Sequence, residues 1–365
     1  MSLCRGALSC RPLAWSQPLV CPLEKDMNDP VAPFTIAIAG FGWWGKHIAT
    51  RLKDHPWLHI AGIVEPATGN HQAITDMGLT VWTDLTEPLA IDEVDAVVLT
   101  TPNTLHEEQV VQVAGKGKHV FCEKPLGLTA ASARRSVKAC EQAGVQLGIG
   151  HERRFEPAML ALGEAIRNGG LGTIMHAEAA FSHDKLVGVS AGDWRTRKDI
   201  SPAAGMTAMG IHLSDLLISY FGPVESLHAF TADRSLGWET GDVVTVQLRF
   251  EAGMTATFNA VLHTPHFIRF HVFGTDKWVE VLNDSHPDTP DGIVRVLTSE
   301  TGKDIDLKEY AWEDAVTKNL EAFAHAASKR APYPFTAQEM VHNIQVLEAI
   351  TKSAASGKAV NLSDI

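Results

Sequence analysis

The sequence predicts an α/β protein: an N-terminal doubly wound parallel sheet, then an α+β domain with a large, mostly antiparallel open sheet. Three observations carry this. A chain of 365 residues, at about 150 residues per domain, suggests two domains. Short apolar runs alternate with helical stretches up to Ile149, the grammar of a parallel sheet. Beyond Phe155 apolar residues recur at every second position, as in antiparallel strands with one packed face.

The elements follow in order. Thr35 to Ala39 (TIAIA) is apolar throughout and reads as a buried strand. A glycine turn and a helical stretch from Trp44 to Asp54 come next. Leu58 to Val64, Asp95 to Thr100 (DAVVLT), Lys118 to Cys122 and Val145 to Ile149 read as further strands, with helices expected at 104–116 and 129–143. In the second half, strands are expected at 173–181, 224–231, 243–250, 254–262, 267–273 and 277–282, interrupted by a helix at 209–221. In VVTVQLRF, Val244, Val246, Leu248 and Phe250 share one face. Helices near 311–328 and 337–355 close the chain, the last stopped by Gly357.

This divides the chain into an extension at 1–33, a first domain at 34–153 and a second at 154–365. The last helix is free to pack back on the first domain. Residues 1–33 show no apolar period, so they are expected to be disordered or to precede a true start at Met27. The net charge of −12 disfavours nucleic acid and anionic membranes as partners. No apolar run is long enough to cross a bilayer. Five cysteines without a CxxC pair fit a reducing compartment, and a cytoplasmic location is expected.

Gly40-Phe41-Gly42-Trp43-Trp44-Gly45 is G-x-G-x-x-G at the end of the first strand. In a Rossmann turn the first glycine permits the tight bend, the second admits a pyrophosphate, and the third lets helix and strand pack. The helix N-terminus would take the phosphates. Glu65 ends the second strand, 25 residues after Gly40. Its carboxylate can accept both ribose hydroxyls and repel a 2′-phosphate, and Pro66, Ala67 and Thr68 bring no cation for such a phosphate. NAD is therefore expected as cofactor rather than NADP.

Two further stretches, Thr100-Thr101-Pro102-Asn103-Thr104-Leu105-His106 and Gly117-Lys118-His119-Val120-Phe121-Cys122-Glu123-Lys124-Pro125, complete a pattern. With the glycine turn they resemble the Gfo/Idh/MocA oxidoreductases, which include glucose–fructose oxidoreductase, inositol dehydrogenase and dihydrodiol dehydrogenases. The resemblance spans about residues 34–361. It implies that Thr101, Pro102, Asn103 and His106 belong to the loop on the nicotinamide side, that Glu123 and Lys124 lie at the nicotinamide edge, and that Pro125 follows a cis bond. It also implies that Arg153-Arg154-Phe155 mark the exit from the first domain and that Trp194-Arg195 reach over the active site. Gly210-Ile211-His212-Leu213-Ser214-Asp215 matches the family's G-x-H-x-x-D helix. One position departs from it: Ala208 stands where the family often carries Asp.

Oxidising a secondary alcohol requires a base for the hydroxyl proton. Histidine titrates near neutrality, and a partly buried lysine beside a cationic nicotinamide has its pKa lowered. Lys124 and His212 are accordingly the expected catalytic pair, with Asp215 on the same helix face to orient the imidazole. His151, Arg153, Arg154, Trp194 and Arg195 form the expected substrate rim, where guanidinium groups would hold a carboxylate or phosphate. His183-Asp184 is a further candidate for that rim. His263, His266 and His271 match no metal-ligand spacing, so no metal is expected.

The expected function is hydride transfer between a nicotinamide cofactor and a secondary alcohol of a sugar, polyol or cyclic diol. The alternative is a non-catalytic NAD-binding regulator of the same fold. The resemblance implies that 34–153 is the dinucleotide-binding Rossmann domain and 154–365 the substrate-binding and oligomerisation domain, so the expected partners are a small-molecule substrate and identical subunits, in a homodimer or homotetramer formed through the second sheet.

Overall fold

The computed structural model describes residues 32–365. The expected extension at 1–33, with its start at Met27, falls almost wholly outside the described residues.

The first sheet grows from β1 (Phe34–Ala39), whose apolar run is covered on both sides, as a parallel strand between helical layers must be. There follow α1 (Trp43–Leu52), β2 (Leu58–Val64), α2 (His71–Asp76), β3 (Thr80–Trp82), α3 (Thr86–Leu89), β4 (Ala96–Leu99), α4 (His106–Ala114), β5 (His119–Cys122), α5 (Ala130–Ala143) and β6 (Leu147–Ile149). The strand order is β3-β2-β1-β4-β5-β6. Strand order reverses beside β1, and an open α/β sheet binds its ligand at the crevice this makes.

The chain then forms α6 (Pro157–Arg167), β7 (Ile174–Ser182), α7 (Gly210–Phe221), β8 (Val224–Ala232), β9 (Val243–Phe250), β10 (Thr255–Val261), β11 (Phe267–Gly274), β12 (Lys277–Asn283), β13 (Ile293–Glu300) and β14 (Asp306–Ala311). It ends with α8 (Ala315–Ala327), α9 (Ala337–Ser356) and β15 (Val360–Asn361). The second sheet runs β14-β13-β12-β11-β7-β10-β9-β8-β15. All its described pairs are antiparallel except β7 with β10. In β9 alternate residues are buried, as the period-two pattern requires, with α7 and α9 packed on the sheet. Met175, Phe230 and Phe267 are exposed. No helix among the described residues is long and apolar enough to cross a membrane.

Helix ends follow side-chain chemistry. Thr129 and Thr336 cap α5 and α9 through reciprocal capping boxes, and Gly144 and Gly357 end them in the left-handed region that glycine tolerates. The expected helix at 311–328 begins only at Ala315. There the Asp314 side chain accepts from the Thr317 amide, while residues up to Ala311 are held in β14. Sequence periodicity also misses α2, β3 and α3, which are too short to show a period, and α6, whose signal is Pro157 at its first turn. It misses β13 and β14 as well. These lie at the sheet's edge, where neither face is fully covered and alternation fades.

The C-terminal helices tie the two sheets together. Phe323 of α8 packs edge-on against Phe34 of β1 and Phe121 of β5, with ring centres 6.2 and 5.5 Å away. On the far side of the first sheet α9 packs on α5, and Glu348 accepts from the Ala130 amide at 2.8 Å. Phe323 is 1% exposed. Its replacement by alanine should destabilise the protein by about 3–5 kcal/mol, the usual cost of emptying a large aromatic site. Urea unfolding measures this. A loss below about 1 kcal/mol would show that α8 does not anchor the first sheet.

Candidate active site

A cleft of about 1180 Å³ opens between the two sheets. That exceeds most small-ligand pockets, which hold roughly 300–1,000 Å³, and suits a dinucleotide with a substrate beside it.

Its first wall is the glycine turn. Gly40 has φ +96°, and a side chain there would meet the Thr100 carbonyl oxygen at 3.0 Å. A Cβ on Gly45 would lie 2.1 Å from the Gly40 oxygen, so β1 and α1 can approach only without it. Nothing stands within 4 Å of the space in front of Gly42, and no side chain caps α1. The free N–H groups of that helix end therefore face an open cradle, which fits a pyrophosphate. Phe41, Trp43 and Trp44 line the same wall.

Glu65 closes the far end. Its carboxylate accepts from the Phe41 amide at 3.1 Å, the Ala67 amide at 2.9 Å and the Asn70 side chain at 3.0 Å. Two carboxylate oxygens offer about four lone-pair sites, so capacity remains for a ribose hydroxyl. Asp84 lines the cleft beside it. The sequence reading did not include this second acid.

The middle of the cleft is made by Thr101, Pro102, Asn103, Glu123 and Lys124. Asn103 donates to the Ile200 carbonyl at 2.9 Å, fastening the 194–201 segment to the first sheet. Lys124 precedes a cis Pro125, and its Nζ donates to the Ala208 carbonyl at 2.9 Å. Burial pushes the Glu123 carboxyl up to about 7, while Lys124 and backbone donation oppose the rise. Burial lowers the Lys124 ammonium, against the pull of Glu123 and Glu152.

His106 is misplaced by the sequence reading. It does not line the cleft; its ring is 1% exposed. Its nitrogens lie 2.7 and 2.9 Å from the carbonyl oxygens of Pro125 and Thr101. It braces the two loops that carry the site.

From the second sheet's side, α7 brings His212 into the cleft opposite Lys124. Burial holds its imidazole well below the usual histidine range, aided by the Lys124 charge. Its Nδ1 has no hydrogen-bond partner among the described residues. The expected Asp215 support is absent. Both Asp215 oxygens are taken by Arg154, at 2.7 Å each. Instead the Glu152 Oε1 lies 3.9 Å from His212 Nε2.

The expected basic rim divides. Trp194 and Arg195 do line the cleft, with the guanidinium 4.2 Å above the indole and the turn capped by Asp193. Arg153, Arg154, Asp215 and His151 do not line it. Arg153 bonds Glu156 at 2.7 Å and Asn283 at 3.1 Å; Arg154 bonds Asp215 and Glu339. A desolvated guanidinium must be paired, and carboxylates brought in by other elements satisfy it here. His151 sits behind His212, ring edge to face at 5.4 Å, near the Asn343 side chain at 3.1 Å. Burial holds it down to about 4.

Sequence reasoning missed Glu152, hidden between a histidine and two arginines. It also missed the 284–292 loop, which reads as turn residues only. That loop brings His286, Pro287 and Asp288 to the cleft, where His183 packs on His286 at 5.2 Å and Lys185 bonds Asp288 at 3.0 Å. Asp184 does not line the cleft. His263 bonds Ser235, His266 bonds the Asn283 carbonyl and His271 stacks on Phe273. Among the described residues no cluster of three or more His, Cys, Asp or Glu could hold a metal.

Comparison with known proteins agrees with this geometry. Residues 34–151 match the model of an oxidoreductase family with an NAD-binding Rossmann fold, and residues 159–280 match the GFO/IDH/MocA C-terminal domain. The chain belongs to the GFO/IDH/MocA oxidoreductase family. It is 26% identical to the rhizopine catabolism protein MocA of Rhizobium meliloti, over 87% of this chain and 94% of that one. It is 28% identical to a D-xylose 1-dehydrogenase (NADP(+)) of Haloferax volcanii, over 90% and 98% respectively. The crystal structure of aldose–aldose oxidoreductase from Caulobacter crescentus shares the fold, with TM-score 0.80, 21% identity, and 90% and 99% of the two chains covered.

The buried ion pair makes a sharp test of where Asp215 acts. Asp215→Asn leaves Arg154 short of a charge partner and should destabilise by about 3–5 kcal/mol. NADH affinity, followed by its fluorescence, should stay within about threefold, since Asp215 lies outside the cleft and 3-fold is only about 0.7 kcal/mol. Full stability with weakened NADH binding would put Asp215 in the cleft after all.

Proposed function

We propose that this oxidoreductase uses NAD to interconvert a secondary alcohol of a small sugar or polyol with its ketone or lactone. Lys124 and His212 are proposed to manage the hydroxyl proton. One observation carries the reading. The end of β5 and the start of α7, 88 residues apart, bring a lysine and a histidine into the cleft that the glycine turn and Glu65 open.

Bound in that cleft, the nicotinamide supplies the hydride acceptor. The protein supplies the rest. His212 is held neutral at pH 7 by burial, so a ring nitrogen is free to take a proton. Lys124 Nζ is held in the cleft by its bond to the Ala208 carbonyl, where its ammonium would stabilise the oxygen from which the proton leaves. Arg195 is the one arginine of the expected rim that reaches the cleft; Arg51 and Lys185 line it too, but all three are already paired, with Asp193, Asp314 and Asp288 respectively, which weakens the case for an anionic substrate. Hydroxyl-rich neutral substrates fit the mixed aromatic and polar lining better, and the similarity to a D-xylose dehydrogenase points to the same class.

His212→Ala and Lys124→Ala should each lower turnover by roughly 10²–10⁴-fold, the usual worth of a positioned acid–base group. A dehydrogenase screen over aldoses and inositols, following NADH, supplies the assay. Turnover that survives both substitutions undiminished would remove the assignment.

The preference for NAD is carried by Glu65 and by Asp84 beside it. A 2′-phosphate placed against the buried Glu65 carboxylate would lack a counter-charge there, at a cost of several kcal/mol, and the exposed Asp84 adds a like charge. The kcat/KM with NAD should exceed that with NADP by at least about 10²-fold, equivalent to about 2.7 kcal/mol. A preference for NADP would overturn it. Phe230 and Phe267, exposed on the face of the second sheet that alternates with its buried residues, support a homo-oligomer through that face. A monomer at micromolar concentration in sedimentation would count against it.

A further inference from the structure

His212 is set in the cleft without an orienting group on its own helix. Asp215 is spent on Arg154, and the residue one turn before His212 is Ala208, which carries no charge. The imidazole Nδ1 is buried and unpartnered. Beside it stands Glu152, on the turn that leaves β6, with one oxygen 3.9 Å from His212 Nε2. Its other oxygen, Oε2, is buried and has no hydrogen-bond partner. Glu152 lines the cleft along with Lys124 and His212. A carboxylate removed from water and left unsatisfied is costly, so its retention calls for an explanation other than packing.

We infer that Glu152 is the positioning and proton-exchange partner of His212. This rests on the reading of His212 as an acid–base group. In alcohol oxidation a proton taken up by His212 passes from its Nε2 to Glu152 Oε1, and in the reverse direction it returns. No electrons move in this step. The 3.9 Å separation exceeds a hydrogen bond. Catalytic contacts are often long before substrate binds and tighten in the complex.

The surroundings suit this role. Glu152 faces Glu123, Lys124 and Glu156, and His212 faces Lys124, His151, Arg153 and His286; Arg195 bears on Lys124. Burial, with the like charge of Glu123, pushes Glu152 up to about 8, while burial pushes His212 down. A proton placed on the pair therefore settles on the carboxylate. As an acceptor Glu152 must be ionised, so oxidation should rise as pH passes about 8.

The test uses the full chain with ¹³C-labelled histidine, with the His212 resonance assigned by its absence in His212→Asn. In the wild type that resonance should shift in a step near pH 8, reporting Glu152 ionisation, and Glu152→Gln should abolish the step. Absence of the step in the wild type overturns the inference without need of a variant. Persistence of the step in Glu152→Gln assigns it to Lys124 or Glu123 and overturns it equally. In NAD-linked oxidation of aldoses or inositols, Glu152→Gln should lower kcat at least about tenfold and flatten the rise near pH 8. Glu152→Asp should restore part of both, with KM for NAD unchanged. A Glu152→Gln enzyme with wild-type kcat and pH profile overturns the pairing but leaves the dehydrogenase reading standing. A wild type that shows the step yet oxidises no alcohol does the reverse.

Discussion

The buried pairing of Arg154 with Asp215 and Glu339 is the constraint on which the site depends. Arg154 follows β6, Asp215 lies on α7 and Glu339 on the first turn of α9. One guanidinium thus fixes three segments that are far apart in sequence. Burial works against its charge, but Asp215 and Glu339 more than offset this and keep the guanidinium protonated. The fork geometry of arginine allows bidentate bonds to Asp215 and a further bond to Glu339, which the single ammonium of a lysine would not reproduce in the same orientation. Because α7 also carries His212 and the β6 exit carries Glu152, the ion pair sets the distance between those two as well. A residue that contacts nothing in the cleft so determines its geometry.

The same desolvation that makes the ion pair necessary sorts the titratable groups inside the cleft. Glu123 and Glu152 are pushed up, Lys124 and His212 down, each away from its charged form. The two carboxyls and the ammonium, whose ordinary values lie six units apart, are drawn toward one another, while His212 is driven further from its charged form. Among them a proton rests on the carboxyls or the lysine, and the neutral imidazole is left to receive one only in passing. Four such groups within one cleft mark a functional site more firmly than any one of them alone.

How much of this was legible in the sequence depends on whether the physical cause is local. Gly40, Gly42 and Gly45 are demanded by backbone contacts within a single turn, so their spacing announces a dinucleotide cradle directly. β1, β4 and β9 show their burial in their own residue order. Arg153 and Arg154 do not. Their partners, Glu156 and Asn283 for one and Asp215 and Glu339 for the other, come from separate elements. From sequence alone a buried structural arginine and a substrate-binding arginine look identical. The failure at His106 is similar: what it braces, Thr101 and Pro125, is fixed only once two loops meet. Glu152 carried a signal that went unused, an acid on the exit of a sheet strand whose end faces the cleft.

The two halves of the cleft therefore differ in kind. The half that fits a cofactor is built on the ends of the first sheet's strands, and its glycine turn and the acid that ends β2 come from one βαβ unit. The half proposed to take substrate is assembled from the end of β5, the exit of β6, the 181–201 segment, the start of α7 and the 284–292 loop. Each contributes one or two side chains, and nothing local requires those side chains to be what they are. Loops held by a rigid scaffold can change without disturbing the core, which is how one fold comes to serve many substrates. His183, Lys185, His286 and Asp288 bond or pack among themselves at this rim, where the His286 charge also bears on His212. On the proposed reading, the choice of substrate would be set at this rim while the hydride chemistry beneath it stays the same.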